Sequence, residues 1–219
     1  MIITIDGPAA AGKSTIARQL AARLNIEYLD TGAMYRAVTW AALGKQVDLE
    51  NETELARLAC GLQYQVISDA IYVDDQDVTL ELRTPQVTDA VVRIADHPTV
   101  RSELVQWQRN FVEGRSVVSE GRDQGTVVFP DAQVKIFLTA SPEERARRRA
   151  EQMESLGIDA DYETILRNQQ DRDERDAKRE VGRLKPADDA VEVSTDGLSI
   201  EQVIEAIERI VQERVAHSG

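Results

Sequence analysis

Short apolar runs recur along the chain in the form typical of buried strands in a parallel sheet. Each run is only a few residues long and is rich in Val, Ile and Leu. They predict five strands, at Ile2–Ile5, Ile26–Leu29, Val117–Ser119, Val134–Leu138 and Val191–Val193.

Apolar positions spaced by three or four residues predict amphipathic helices between or beside these strands. Strands that are separated by helices indicate an α/β fold, with a parallel sheet and helices on both of its faces. Three such sets of positions are Ile16, Leu20 and Leu24; Val100, Leu104, Trp107 and Phe111; and Ile200, Val203, Ile204, Ile207 and Val211.

A further helix is predicted to begin at Ser141-Pro142-Glu143-Glu144. Ser141 is a typical N-cap residue, and a proline suits the first turn of a helix. Glu144 lies three residues after Ser141, the spacing of a capping box in which its carboxylate would bond back to the Ser141 backbone.

Residues 63–83 interrupt the alternation of strands and helices. Gln63–Ile67, Ile71–Val73 and Val78 read as short strands, with turn signals at Ser68-Asp69 and Asp74-Asp75 between them. We therefore predict a small antiparallel meander within an insertion over residues 41–98. Residues 1–40 and 99–219 form the predicted core.

Residues 143–183 are densely charged, rich in Arg and poor in large apolar side chains. A helical hairpin of this composition can bury little surface, so we predict a mobile lid over this range. The alternative is a solvated charged surface in which Glu and Arg pair along each helix.

The composition excludes several classes of protein. The 219 residues carry a net charge of −13, which disfavours binding to nucleic acid polymers and anionic membranes. The single cysteine, Cys60, excludes an intrachain disulfide and suits a reducing compartment. His97 and His217 stand far apart without cysteine neighbours, so no zinc pattern exists. With no leader pattern and no long apolar stretch, we expect a cytoplasmic protein.

Between the first predicted strand and the first predicted helix lies Gly7-Pro8-Ala9-Ala10-Ala11-Gly12-Lys13-Ser14, which matches the phosphate-binding loop G-x-x-x-x-G-K-[ST]. Glycine lets backbone N–H groups surround phosphate oxygens, Lys13 supplies a charge to the β- and γ-phosphates, and Ser14 would ligate Mg²⁺. Residue frequencies give a chance match on the order of one per cent for such a chain. We predict ATP binding at Gly7, Pro8, Ala9, Ala10, Ala11, Gly12, Lys13, Ser14 and Thr15.

The loop alone does not separate a kinase from other nucleotide-binding proteins. A regulatory GTPase would also need Asn-Lys-x-Asp, which is missing from the sequence. Phosphoryl transfer requires positioning and charge neutralisation by several cationic side chains. The chain offers Arg36, Arg101, Arg122, Arg145, Arg148, Arg149, Arg172, Arg175 and Arg179 for this purpose.

Three motifs in the same order make the chain resemble the bacterial cytidylate kinases. They are the segment Asp6–Ser14; Leu29-Asp30-Thr31-Gly32-Ala33-Met34-Tyr35-Arg36; and Glu120-Gly121-Arg122-Asp123-Gln124-Gly125-Thr126-Val127-Val128-Phe129-Pro130-Asp131-Ala132. The resemblance covers essentially the whole chain. It implies a five-stranded P-loop core, a monophosphate-binding subdomain, an Arg-rich lid, and transfer of the γ-phosphoryl group of MgATP to CMP or dCMP.

The resemblance also implies roles for individual residues. Lys13, Arg122, Asp123 and Arg179 would act in transfer, while Arg145 and Arg149 would belong to the ATP side of the lid. Residues implied to bind CMP are Thr31 and Arg101 at cytosine, Arg36, Arg122 and Arg179 at the phosphate, Asp123 at the base or sugar, and Arg172 and Asp176 at the pentose.

Two positions depart from the family pattern. The family usually has a serine nine residues before the arginine at Arg101, and here Val92 offers no side-chain hydrogen bond for reading cytosine. Glu120 replaces the more usual aspartate but keeps a carboxylate, which could orient a water bound to Mg²⁺.

Several alternatives stay open at this point. The acceptor could be UMP or a non-nucleotide metabolite, or the chain could be a nucleotide-binding switch without turnover. Asp30 could simply cap a helix, and Asp173 and Glu174 read as plain members of a charged helix. No long apolar face remains for a partner chain, so a monomer is expected.

Overall fold

The computed structural model describes residues 1–67, 70–155, 157–178 and 181–216. Arg179 and His217, and the predicted turn at Ser68-Asp69, lie outside the described residues. The chain forms two compact units, one of residues 1–29 with 112–219 and the other of residues 30–111.

The strands of the described ranges are β1 Ile2–Asp6, β2 Glu27–Asp30, β3 Tyr64–Ile67, β4 Ala70–Val73, β5 Gln76–Asp77, β6 Val117–Gly121, β7 Val134–Thr139 and β8 Val191–Ser194. The α-helices are α1 Lys13–Leu24, α2 Thr31–Gly44, α3 Glu52–Gly61, α4 Pro85–Ala95, α5 Pro98–Val112, α6 Pro142–Ser155, α7 Tyr162–Lys178 and α8 Ile200–Ala216. A 3₁₀ turn at Glu81–Arg83 and a π-helical turn at Gln124–Val128 complete the set.

The first unit is built on a five-stranded sheet in the order β2-β6-β1-β7-β8. Strand β1 pairs in parallel with β6 and β7, and β7 pairs in parallel with β8. Ile3 and Ile5 of β1 lie in one buried apolar cluster with side chains of α1 and α8. All five predicted strands are confirmed, and so is the α/β class.

The second unit contains the antiparallel sheet β3-β4-β5 and the helices α2 to α5. The β3–β4 pairing aligns Tyr64 with Val73, and the β4–β5 pairing aligns Val73 with Gln76. The predicted antiparallel meander is therefore confirmed. Its core is formed by buried apolar residues of the helices and strands, among them Met34, Leu55, Val73, Leu82, Ile94 and Leu104.

The predicted start of α6 is confirmed, but only half of its capping box forms. The Ser141 hydroxyl accepts the Glu144 N–H at 3.3 Å. The Ser141 N–H instead donates to the Asp196 carboxylate, with both oxygens at 3.0 Å. The Glu144 carboxylate binds Arg147 and Arg148, so two nearby guanidinium groups outcompete a backbone N–H for its charge.

Helices α6 and α7 bury mainly polar side chains, in keeping with the composition of this segment. Apart from Ala146 and Ile165, their buried positions are Arg145, Gln169 and Asp176. None of the helices within the described ranges combines the length and apolar character needed to cross a membrane.

Candidate active site

The loop between β1 and α1 is closely packed at its start and left-handed further on. A Cβ on Gly7 would lie 2.1 Å from the Leu138 carbonyl oxygen, so only glycine fits against β7 at this point. Ala10 and Gly12 have φ angles of 60° and 92°. Gly12 precedes α1 without a side-chain cap, which leaves the positive end of the helix facing the loop.

Lys13 lies inside this loop, with only 6% of its surface exposed. Its ammonium group donates to the Pro8 carbonyl at 2.7 Å. Burial lowers the pKa of Lys13 to about 7, and the positive charge of Arg122 adds to that effect. Arg172 also acts in the lowering direction, whereas the Glu120 carboxylate opposes it. The charges of Arg122 and Arg172 therefore both act on Lys13 beside the phosphate loop, an arrangement that suits an anion.

Ser14 and Glu120 form the oxygen-rich side of the site. The Ser14 hydroxyl donates to Glu120 Oε1 at 2.7 Å, and the Tyr28 hydroxyl donates to the same oxygen at 3.4 Å. Glu120 ends the apolar part of β6 and is buried. Hydroxyl and carboxylate oxygens are the protein ligands that Mg²⁺ prefers, so these two residues fit the cation that the motif implies.

Arg122 connects the loop after β6 to the phosphate loop and to α7. Its guanidinium donates to the Gly7 carbonyl at 3.0 Å and to Asp176 Oδ2 at 2.8 Å. Asp176 is only 2% exposed, so the ion pair is largely shielded from water. Arg122 and Asp176, both implied to bind the acceptor, thus contact each other beside the phosphate loop, which is implied to bind ATP.

Arg145 is also held against the phosphate loop, in a buried position. Its guanidinium donates to the Ala9 carbonyl at 3.1 Å and pairs with Asp173 at 2.6 Å. Asp173 therefore pairs with a buried arginine, whereas the sequence suggested a plain member of a charged helix. Arg149, the other implied ATP-side residue, lies on the exposed side of α6 and donates to Gln152 at 2.7 Å.

Sequence reasoning did not single out Asp6 as a functional residue. This residue ends β1, and its two carboxylate oxygens accept the backbone N–H groups of Gln124 and Gly125. Burial raises the pKa of Asp6 to about 7. Its position in the sequence could have indicated a role, because this carboxylate directly follows the buried strand predicted at Ile2–Ile5. Asp123, which precedes this turn, is also buried.

The second unit carries three further implied CMP ligands, Thr31, Arg36 and Arg101. Thr31 is buried at the start of α2, and Asp30 caps this helix by accepting the Ala33 N–H at 3.0 Å. Arg36 donates to the Leu82 carbonyl at 3.1 Å and to Thr88 at 2.8 Å.

Arg101 and Val92 lie on neighbouring helices of the same unit. The Arg101 guanidinium donates to the Ala95 carbonyl at 3.2 Å and lies 5.7 Å from the centre of the Tyr35 ring. Val92 is half-buried in α4, the helix that contains Ala95.

Comparisons with known proteins agree with these features. A family model described as cytidylate kinase matches residues 3–213. A cytidylate kinase of Rhodopirellula baltica is 51% identical over 219 residues, which cover 100% of this chain and 96% of that protein. A cytidylate kinase of a Geobacillus species is 47% identical over 217 residues, 97% of each protein.

Among solved structures, a shikimate kinase from Bacteroides thetaiotaomicron gives a TM-score of 0.50 over 97% of this chain and 98% of its own, at 14% identity. At that identity the likeness concerns the fold alone.

Proposed function

Because the chain belongs to the cytidylate kinase family, we propose that it transfers the γ-phosphoryl group of ATP to CMP or dCMP, giving ADP and CDP or dCDP. The observation that carries this proposal is the charge cluster at the phosphate loop. Lys13 is buried in the loop, and the charges of Arg122 and Arg172 both act on it. Such a cluster suits the anionic groups of a phosphoryl transfer.

On the ATP side, the loop N–H groups and Lys13 would hold the β- and γ-phosphates. Ser14 and Glu120 would hold Mg²⁺, Glu120 through a water molecule. Mg²⁺ held by these residues would supply positive charge that offsets the charge of the phosphates. Arg145 donates a hydrogen bond to the Ala9 carbonyl, so it would maintain the conformation of the phosphate loop beside the nucleotide. Arg149 would contribute from the exposed side of α6.

On the acceptor side, the family pattern assigns Arg36, Arg122 and Arg179 to the phosphate, and Thr31, Arg101 and Asp123 to the base or sugar. Arg172 and Asp176 would hold the pentose. The ion pair between Arg122 and Asp176 supports this grouping, because it fixes a phosphate ligand and a pentose ligand at hydrogen-bond distance from each other.

The chemical step needs little beyond positioning and charge. The attacking oxygen of a monophosphate is already anionic, so no general base is required. Lys13 and the arginines offset the charge on the transferring group and hold the reactants in line. A lid formed by residues 143–183 would exclude water, which would otherwise accept the phosphoryl group.

The test is a coupled ADP-release assay with CMP, dCMP, UMP and AMP side by side. We expect turnover with CMP or dCMP and little with AMP. No turnover with either cytidine nucleotide would contradict the proposal. ADP release that needs no acceptor would indicate an ATPase instead.

We further propose that the protein is a monomer that acts in the cytoplasm on small nucleotides and does not bind nucleic acid polymers. The acidic balance supports the last point, because a net charge of −13 repels polyanions. Light scattering coupled to size exclusion would measure the mass, which is 24.4 kDa for a monomer.

A further inference from the structure

Asp6 uses both of its carboxylate oxygens to hold a distant loop. Oδ1 accepts the N–H of Gln124 and Oδ2 accepts the N–H of Gly125, each at 2.8 Å. These residues directly follow Arg122 and Asp123, and they open the π-helical turn. Asp6 itself is 4% exposed and directly precedes Gly7 of the phosphate loop. One side chain therefore connects the two segments that bear the implied donor and acceptor ligands.

The turn is shaped so that it fits closely over Asp6. A Cβ on Gly125 would lie 3.0 Å from Thr4 Oγ1 and 3.2 Å from Lys135 Cδ, both tighter than ordinary contact, and 3.4 Å from Asp6 Oδ2. A Cβ on Gly121 would lie 2.8 Å from the Gln124 side chain. That side chain accepts a hydrogen bond from Ser119 at 2.7 Å. The position of the turn is thus restricted both by hydrogen bonds and by steric contacts.

A carboxylate is the group that this geometry requires. Two parallel N–H donors need two acceptor oxygens, and an ionised carboxylate offers both. An asparagine would offer one oxygen and would direct an NH₂ group at the second N–H. Hydrogen bonds to a charged group are worth about 1.5–3 kcal/mol each, so the exchange would release one end of the turn.

The consequence concerns the distance between the two sets of ligands. Arg122 donates to the carbonyl of Gly7, the residue after Asp6. A shift of the turn would move Arg122 and Asp123 relative to Lys13, while the phosphate loop would keep its own contacts to α1 and β7. Displacements of about 1 Å in a reacting pair can cost about 100-fold in rate.

We propose that Asp6 is a positioning residue for phosphoryl transfer, which fixes Arg122 and Asp123 relative to the phosphate loop. This inference rests on the function proposed above. It predicts a split effect in which loss of the carboxylate impairs use of the acceptor and preserves binding of MgATP. Two other roles make different predictions. A carboxylate that acts only through the Lys13 charge would change ATP affinity, and one that only stabilises the fold would lower the fraction of folded protein.

The experiment compares Asp6→Asn, Asp6→Glu and the wild type. The control is Ile3→Val on the same strand, because Ile3 is fully buried and lies in the apolar cluster with side chains of α1 and α8. Calorimetry gives the dissociation constant for MgATP, steady-state assays give kcat and KM with CMP, and circular dichroism reports folding.

For Asp6→Asn we expect kcat/KM for CMP to fall about 100-fold or more, with MgATP affinity within about threefold of the wild type. Asp6→Glu retains the charge but places the oxygens one methylene farther along, so it should be impaired similarly. Ile3→Val removes one methylene from the core, so its MgATP affinity and its kcat/KM for CMP should match the wild type within about twofold.

The proposal is overturned if folded Asp6→Asn keeps its kcat/KM, if its ATP affinity falls in parallel, or if Asp6→Glu restores activity. Should Asp6→Asn fail to fold, Gly125→Ala displaces the turn while the carboxylate stays. The same split is expected there, and unchanged kinetics would also refute the proposal. Absence of CMP turnover in the wild type would instead count against the proposed function, so the two failures are distinguishable.

Discussion

A buried carboxylate such as Asp6 makes the stability of the protein depend on pH. Burial raises its pKa from 3.8 to about 7, although two backbone N–H groups act in the opposite direction. The Asp6 carboxyl group therefore binds its proton more tightly in the folded state than in the unfolded state. The contribution of the group to stability is fully present below a pH of about 4 and is lost as the pH rises through about 7.

The first prediction uses Asp6→Asn, which cannot titrate. The free energy of unfolding of the variant, relative to the wild type, should rise by more than about 1 kcal/mol between a pH of about 5 and 8. Urea titrations of both proteins at several pH values measure it. Asp123 and Lys13 both face Asp6. The Asp6 charge raises the pKa of Lys13, so its loss lowers that pKa and changes the difference in the same direction. The difference for the Ile3→Val control should stay flat with pH, and an equally flat Asp6→Asn difference would show that Asp6 does not titrate in this range.

Val92 allows a second prediction at the scale of a single side chain. The family usually has serine at this position, and a hydroxyl adds a donor and an acceptor that valine lacks. If base reading has weakened here, Val92→Ser should raise the preference for CMP over UMP severalfold. The ratio of kcat/KM for the two nucleotides measures it. An unchanged ratio would mean that other groups read the base.

Individual residues differ in how far the sequence could predict them. Lys13 and Ser14 were predictable because the motif is local, and the structure puts Lys13 inside the loop and Ser14 against Glu120. Asp6 was missed because its partners lie 118 and 119 residues away. Asp173 was misread because a charged residue on a charged helix gives no sign that its partner is buried.

At the scale of elements, a row of polar contacts holds α6 and α7 together. Gln169 donates to the Arg145 carbonyl at 3.3 Å, and Asp173 pairs with the Arg145 guanidinium. Asp176, farther along α7, pairs instead with Arg122, which directly follows β6. Buried polar side chains at Arg145 and Gln169 thus accompany the buried apolar ones at Ala146 and Ile165. Separation of the two helices would break the ion pair between Arg145 and Asp173.

The third prediction concerns Asp173→Ala. Arg145 is 3% exposed, so removal of its carboxylate partner leaves a buried charge without compensation. Loss of a fully buried partner costs about 3–5 kcal/mol, and we expect about 2 kcal/mol here because the Asp173 side chain is 23% exposed. Urea unfolding measures the loss.

The matched control for Asp173→Ala is Glu174→Ala on the next residue of α7. Glu174 pairs with Lys178, and both side chains are mostly exposed. Its removal should change the free energy of unfolding by no more than about 0.5 kcal/mol. Equal losses of unfolding free energy for the two variants would mean that the pair between Asp173 and Arg145 stabilises the protein no more than an exposed pair does.

Elements with a strong local pattern were predictable, and those formed by distant contacts were not. The five strands follow from short apolar runs between helices, and the meander follows from its turn residues. The π-helical turn at Gln124–Val128 has no periodic pattern, because it depends on the Asp6 carboxylate and the fit at Gly125. The capping box at Ser141 failed in part because Asp196 and two arginines compete for its groups.

At the scale of the whole molecule, a net charge of −13 coexists with a site suited to polyphosphates. The total charge governs solubility and long-range repulsion, whereas binding depends on the field inside the cleft. Lys13 and Arg147 separate these two effects, because removal of either changes the net charge by the same amount. Lys13 is buried in the phosphate loop, while Arg147 is exposed on α6 and pairs with Glu144 and Glu151.

The fourth prediction compares Lys13→Ala with Arg147→Ala in the presence of MgATP. A ligand at about 100 times its dissociation constant stabilises the folded protein by about 2.7 kcal/mol. This gain should persist in Arg147→Ala and should disappear in Lys13→Ala. The gain is the difference between unfolding with and without MgATP, so an effect of either substitution on folding alone cancels. Urea unfolding with and without MgATP measures both. Equal losses in the two variants would mean that total charge governs binding, and local arrangement would then not explain how an acidic protein holds ATP.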